Sequence, residues 1–182
     1  TYYVRHMVWN HPAGALYSSK GLKALTPVLA KTYVLFINQN EILELTGKDF
    51  KAGAETCLKQ GCHTVVVTLG RRRTLGRGIR LQAPSESVRG RVIVAAYIRD
   101  TDGEHVIKSS QSKASVIDTT GAGDAFATGF LYGLLRGKGL EECGRLGDIV
   151  AQFCITKIGA RRGLPTLNEL AQRYQELYNQ QL

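Results

Sequence analysis

The sequence predicts an α/β protein built on a three-layer α/β/α, Rossmann-like sheet, and three observations carry that prediction. Two compact apolar runs, Tyr33–Ile37 and Thr64–Thr68, lack polar alternation, as strands buried on both faces of a parallel sheet do. Helical periodicity lies between them, and strand–helix–strand order implies a right-handed crossover. The last third of the chain is helical in pattern throughout.

Taken in order, Val4–Trp9 is apolar without helical period and reads as a strand, followed by the turn-rich loop Asn10–Gly14. Leu22, Leu25, Val28 and Leu29 then recur at helical spacing within Gly21–Lys31, and Pro27 is expected to weaken or kink that helix. After the strand Tyr33–Ile37, the polar group Asn38-Gln-Asn-Glu41 sits at a strand's C-terminal end and opens a helix that stops near Thr46-Gly47. A further helix spans about Phe50 to Gln60, with Gly61 in the capping position, before the strand Thr64–Thr68.

Beyond Gly70 the pattern changes. Gly76, Gly78, Gly90 and Gly103 separate short β-like runs, notably Arg91–Ile98, expected as antiparallel edge strands. From Asp124 the chain turns helical, with Phe126, Phe130, Leu131, Leu134 and Leu135 as one apolar face ending at Gly137. Leu140–Thr156 and Leu167–Tyr178 follow as two more helices. No repeat or linker divides the chain, so a single domain over residues 1–182 is expected.

With 43% hydrophobic residues the 182-residue chain can fill one substantial core, which excludes a disordered or collagen-like class. The net charge of +9 makes an anionic partner plausible without choosing among nucleotide, nucleic acid and membrane surface. Cys57, Cys62, Cys143 and Cys154 form no C-x-x-C pair and no zinc-type spacing, so reduced thiols in a cytoplasmic protein are expected. No apolar run approaches the ~18 residues of a membrane span. The chain opens on Thr1, and its only methionine is Met7.

The densest chemical signal is Asp118-Thr-Thr-Gly-Ala-Gly-Asp-Ala-Phe126, where small residues precede an amphipathic helix. Glycine lets a ligand approach the backbone, and the unpaired first-turn N–H groups of a helix point at whatever lies there, which suits an anion. A carboxylate at Asp124, in that first turn, would be placed to take a proton from an attacking hydroxyl. The same spacing also fits a helix cap after a flexible turn, since acids favour helix starts. Likewise Asn38 and Glu41 form either a helix-capping pair or an oxygen site for a hard divalent cation. The basic cluster Arg71, Arg72, Arg73, Arg77, Arg80, Arg89 and Arg91 fits a solvated face or contact with nucleotide phosphate. It lacks the interleaved aromatics of a nucleic-acid surface, so nucleic acid is not the expected partner.

The run ending in Asp124 resembles the second diagnostic motif of the ribokinase, or PfkB, carbohydrate-kinase family. Asn38-Gln-Asn-Glu41 is similar to that family's N-x-x-E element, and Thr68-Leu-Gly70 to its T-L-G element, all in the family's order. The resemblance implies a ribokinase-like fold and an ATP-dependent phosphotransferase. In it Gly121, Ala122 and Gly123 would form an anion hole and Asp124 would be the base. Glu41 would help organise Mg²⁺ through water beside Asn38, and Thr68 and Gly70 would approach the nucleotide. Asp118 and Thr120 would offer backbone carbonyls to a potassium-like cation, with further ligands from Ile158–Gly163. The stretch Gly147–Ala160 is similar to the helix and loop flanking the adenine, with Asp148 where family members commonly have Asn.

The resemblance runs from about residue 8 to 170 and aligns with the second half of the family's chains, without the β-structured lid and the Gly-Gly sugar motif. Two readings follow. One is the catalytic half of a sugar or nucleoside kinase that requires its other half; the other is a truncated paralogue that binds nucleotide or a partner without turnover. Half of a parallel sheet has exposed edges, so self-association or a completing partner is expected.

Overall fold

The computed structural model describes residues 13–70, 94–109 and 116–182. The expected strand Val4–Trp9, the start of the loop after it, and the arginine cluster from Arg71 to Arg91 lie outside the described residues. The chain divides into two compact units, Thr1–Val106 and Ile107–Leu182.

The first unit opens with α1 (Ala13–Leu29), two helical pieces joined at Gly21, whose φ of 63° and ψ of −172° are non-helical. The break thus falls at Gly21 and not at Pro27, which the second piece accommodates, and helix already occupies residues read as the end of a loop. A glycine tolerates that backbone region, whereas a proline costs only its own missing N–H and a local clash. β1 (Val34–Asn38) and β2 (Thr64–Thr68) pair in parallel, Val34 opposite Thr64 through Asn38 opposite Thr68. Between them run α2 (Gln39–Thr46) and α3 (Phe50–Lys59).

The four leading residues of each strand are buried, so both faces are covered, as the unalternating apolar runs require. On one face Leu35, Ile37, Val65 and Val67 share a core with Leu25 and Leu29 of α1 and Ile42 of α2. Each such fully buried aliphatic side chain contributes about 1.5–3 kcal/mol. α3 ends as the sequence indicates: the Gly61 N–H donates to Leu58 O (2.9 Å) and the Cys62 N–H to Cys57 O (3.4 Å), a paired closure that needs the positive φ of 97° at Gly61.

β3 (Val94–Arg99) pairs antiparallel with β2, and β4 (Glu104–Lys108) closes a sheet of order β1-β2-β3-β4. The antiparallel expectation holds for β3, but among the described residues β3 is interior to that order, and β1 and β4 lie at its two ends. The turn between them is made by Asp100, whose carboxylate accepts from the N–H groups of Asp102 (3.0 Å) and Gly103 (2.8 Å).

The second unit holds α4 (Ala122–Leu135), α5 (Leu140–Cys154) and α6 (Leu167–Tyr178). Of the apolar face read from the sequence, Phe126 and Phe130 are buried, Leu131 and Leu134 are half-buried, and Leu135 lies outside it. Leu135 is 85% exposed, and the buried positions are Ala125, Phe126, Ala127, Gly129, Phe130 and Gly133. The reason is backbone approach: a Cβ on Gly129 would lie 2.5 Å from Leu146 O, and one on Gly147 would lie 2.8 Å from Phe126 O. Small residues, not large ones, let α4 and α5 pack this closely. α6 closes the unit by burying Leu170 and Tyr174 against Leu146, Ile149 and Cys154 of α5.

The alternation of mixed sheet and helices is the α/β architecture expected. Among the described residues no helix is long and apolar enough to cross a membrane.

Candidate active site

In the second unit the site is built on a turn. Ile117 and Asp118 donate their N–H groups to Ile155 O (2.9 and 3.3 Å), fixing the chain beside the end of α5. Asp118 Oδ1 accepts from the Thr120 N–H (2.9 Å) and hydroxyl (2.8 Å), while Oδ2 accepts from the Gly159 N–H (2.8 Å). These donors, Gly159 first, hold its carboxyl below the ordinary value of 3.8.

Gly121 follows as the N-cap of α4, at φ 77° and ψ 4°. Two things demand glycine there. The conformation is left-handed, and a Cβ would sit 2.9 Å from the Ala160 Cα and closer still to its Cβ. No side chain caps the helix at this end. Ala122, Gly123 and Asp124 are its first three residues, so their N–H groups have no acceptor within the helix. Ala122 donates back to Thr119 O (3.2 Å).

Gly123 is different from Gly121. It is exposed, its φ is not positive, and a Cβ built on it meets nothing within 4 Å. Packing does not account for the glycine. Asp124 is exposed next to it, in the first turn, where the helix dipole favours a negative charge.

Cys154, at the C-terminal end of α5, was given no role from the sequence. Its buried sulfur lies 3.6 Å from Thr120 O and 3.5 Å from Ala160 O, between the turn before α4 and the loop after α5. Burial first, and then the charges of Asp118 and Asp124, push its thiol pKa up, so it stays an S–H donor. Nothing local in the sequence marks this contact, because Thr120 is 34 residues away.

Asp148 lies elsewhere on α5. It is 4% exposed, and it accepts from the Ser109 hydroxyl (3.2 Å) and the Gln152 amide (2.6 Å).

In the first unit, Asn38 and Thr68 stand opposite each other at the C-terminal ends of two parallel strands, where ligands of open α/β sheets gather. Asn38 caps α2: its Oδ1 accepts from the N–H groups of Asn40 (2.9 Å) and Glu41 (3.0 Å), and Glu41 Oε2 accepts from the Asn38 N–H (2.7 Å). The capping pair is therefore formed, and Glu41 Oε1 makes no hydrogen bond among the described residues. Burial, ahead of the opposing Asn38 hydrogen bond, raises the Glu41 pKa above 4.5, with Glu44 adding to the rise. Gly70 lies two residues beyond Thr68, exposed, with open space where a Cβ would be.

The structure thus gathers Asn38, Glu41 and Thr68 within one unit, and Asp118, Thr120 and Gly121–Asp124 within the other. Among the described residues no three His, Cys, Asp or Glu side chains converge on a common metal position. A divalent ion here would draw on few carboxylates plus water and phosphate oxygens, a donor set that suits Mg²⁺ and to which Glu41 Oε1 could contribute. A separate cavity of about 820 Å³ in the first unit is lined by Phe50, Lys51, Tyr97 and Glu104 among others. Within it Glu104 accepts from Tyr97 (2.6 Å) and pairs with Lys51 (3.4 Å).

Comparison with known proteins adds findings of three kinds, from a family, from relatives and from solved structures. The profile described as pfkB family carbohydrate kinase matches residues 10–167. A protein of Archaeoglobus fulgidus described as an uncharacterised sugar kinase is 41% identical over 152 residues, which is 84% of this chain and 51% of that protein. A nucleoside kinase of Methanothermobacter thermautotrophicus is 33% identical over 86 residues, 46% of this chain and 28% of that one. Among solved structures, the Burkholderia thailandensis nucleoside kinase in complex with inosine superposes with a TM-score of 0.68 at 21% identity, over 94% of this chain and 48% of its own. Adenosine kinase from Sinorhizobium meliloti does so at 0.63 and 28%, over 89% and 41%. The chain spans about half the length of the sugar kinase it matches.

Proposed function

The chain belongs to the pfkB family of carbohydrate kinases, and from that premise we propose that it is the C-terminal, nucleotide-side half of an ATP-dependent sugar or nucleoside kinase. Its two units would together make the single α/β domain expected from the sequence. In the proposed reaction the acceptor hydroxyl oxygen attacks the γ-phosphorus of ATP, its proton passes to the Asp124 carboxylate, and the bond to the β-phosphate oxygen breaks to release ADP. Such a transfer asks the protein for positioning and for stabilisation of charge on the phosphoryl oxygens. The N–H groups of Gly121 and Gly123 are suited to that charge, and that of Ala122, which donates to Thr119 O, would serve it by turning from that carbonyl.

The observation that carries the reading is Gly123. A glycine that neither conformation nor packing requires, beside an exposed carboxylate at an uncapped helix start, is explained by a ligand that comes close to the backbone. Asn38, Thr68 and Gly70 would stand on the nucleotide side, and Glu41 would hold water around Mg²⁺, which supplies charge neutralisation at the phosphates. Asp118 and Thr120 would turn backbone carbonyls to a potassium-like cation. Asp148 would act from within its buried network, through Ser109 and Gln152.

The test is magnesium-dependent ATP consumption by the purified chain across a panel of sugars and nucleosides. Turnover that Asp124→Asn abolishes while nucleotide binding persists is the expected result. A second reading is a paralogue that binds nucleotide or a partner without catalysis. ATP that raises the melting temperature of the chain with no turnover on any acceptor would select it.

A further inference from the structure

We infer that Asp118 is a positioning residue for the anion cradle, acting through its carboxylate as a clamp between the turn before α4 and the loop after α5. The inference rests on the phosphoryl-transfer reading of that cradle. The carboxylate reaches both ways: Oδ1 takes the N–H and hydroxyl of Thr120, and Oδ2 takes the N–H of Gly159. The loop it grasps is the one that Gly121 leans on, since Ala160 follows Gly159 and occupies the space where a Gly121 Cβ would go. Cys154 supplies a second tether between the same two segments, with its sulfur between Thr120 O and Ala160 O.

The chemistry of position 118 is specific to a carboxylate. Donors approach it on both oxygens, and only an ionised acid accepts on both sides. An asparagine of the same shape would turn an NH₂ group toward either Thr120 or Gly159 and break one arm of the clamp. A carboxylate beside a phosphate-binding helix end is otherwise unfavourable for the anion. Its retention is accounted for by what it holds: the left-handed Gly121, and with it the direction of the first-turn N–H groups of α4. Asp118 is half-buried and its hydrogen bonds are confined to the turn and the loop it joins, so its loss should act there before it acts on α6.

The test compares Asp118→Asn with the parent chain by amide hydrogen exchange and by turnover. Loss of one charge-assisted hydrogen bond should speed exchange at Ala122 and Ala125, whose N–H groups donate to Thr119 O and Gly121 O, by about tenfold or more, with α6 unchanged. kcat should fall by about tenfold with the KM for ATP within about threefold, since a misdirected cradle loses transition-state stabilisation before it loses ground-state binding. Exchange at Ala122 and Ala125 that stays at the parent rate overturns the inference, as does a general loss of protection that includes α6. Thr120→Val, which removes only the hydroxyl arm, should give a smaller rise at the same amides and decides the matter should Asp118→Asn not fold; no rise there also overturns it. If the parent chain shows no turnover, the kinase reading fails while hydrogen exchange still decides the clamp.

Discussion

Gly121 and Gly123 sit two residues apart in one motif, and replacing each by alanine should produce opposite phenotypes. At Gly121 an alanine must adopt φ near 77°, which costs about 1–2 kcal/mol. Its Cβ would also lie 2.9 Å from the Ala160 Cα, a backbone neighbour that cannot rotate away, adding an overpacking cost of about 1–3 kcal/mol. The sum, about 2–5 kcal/mol, corresponds to a melting-temperature drop of roughly 5–15 °C for a chain of this size. Gly123→Ala meets nothing within 4 Å, so the free protein should be unchanged or slightly more stable, by up to about 1 kcal/mol from helix propensity. Its methyl group would occupy the space through which a phosphate reaches the α4 backbone. Nucleotide affinity should then fall by about tenfold or more, roughly 1.4 kcal/mol. Differential scanning calorimetry and titration calorimetry with ATP and Mg²⁺ on both variants are the assay. A Gly123→Ala protein that binds ATP as the parent does, or that melts as low as Gly121→Ala, would refute the assignment of Gly123 to the ligand.

Two further outcomes are expected. Gly129→Ala places a Cβ 2.5 Å from Leu146 O between two helix backbones. The overpacking cost of about 1–3 kcal/mol should exceed the roughly 1 kcal/mol of helix propensity gained, and chemical denaturation should show a net loss without change in the helical spectrum. Glu169 is held below its ordinary value of 4.5, first by the Thr166 N–H and then by its hydroxyl. Its folded-state pKa is depressed, so its contribution is complete above about pH 4.5 and is lost as pH falls through the lower folded value. The melting temperature of the parent chain should therefore fall more steeply below about pH 4.5 than that of Glu169→Gln; parallel curves would count against it.

Local signals are where sequence and structure agree. β1 and β2 are unalternating apolar runs, and α2, α3 and α6 begin at Asn38, Asp49 and Thr166, whose side chains cap the first turn within three residues. Such contacts are encoded at short range, so spacing reveals them. Composition points to Pro27 as the place where the helix Gly21–Lys31 weakens, whereas the break lies at Gly21 and is set by that residue's dihedral angles. On α4 the expected Phe126 and Phe130 are buried, but close backbone approach places Gly129 and Gly133 beside them where the pattern of large apolar residues points to Leu135.

The order of the motifs and the placing of Asp124 in a helix's first turn were determined by the sequence alone. Why Gly121 and Gly123 are both glycine was decided only by tertiary structure. The physical reason is range. A helix start depends on atoms within one turn of chain, whereas the Gly121 constraint comes from Ala160, and the hold on Asp118 from Gly159, across some forty residues that only the fold brings together.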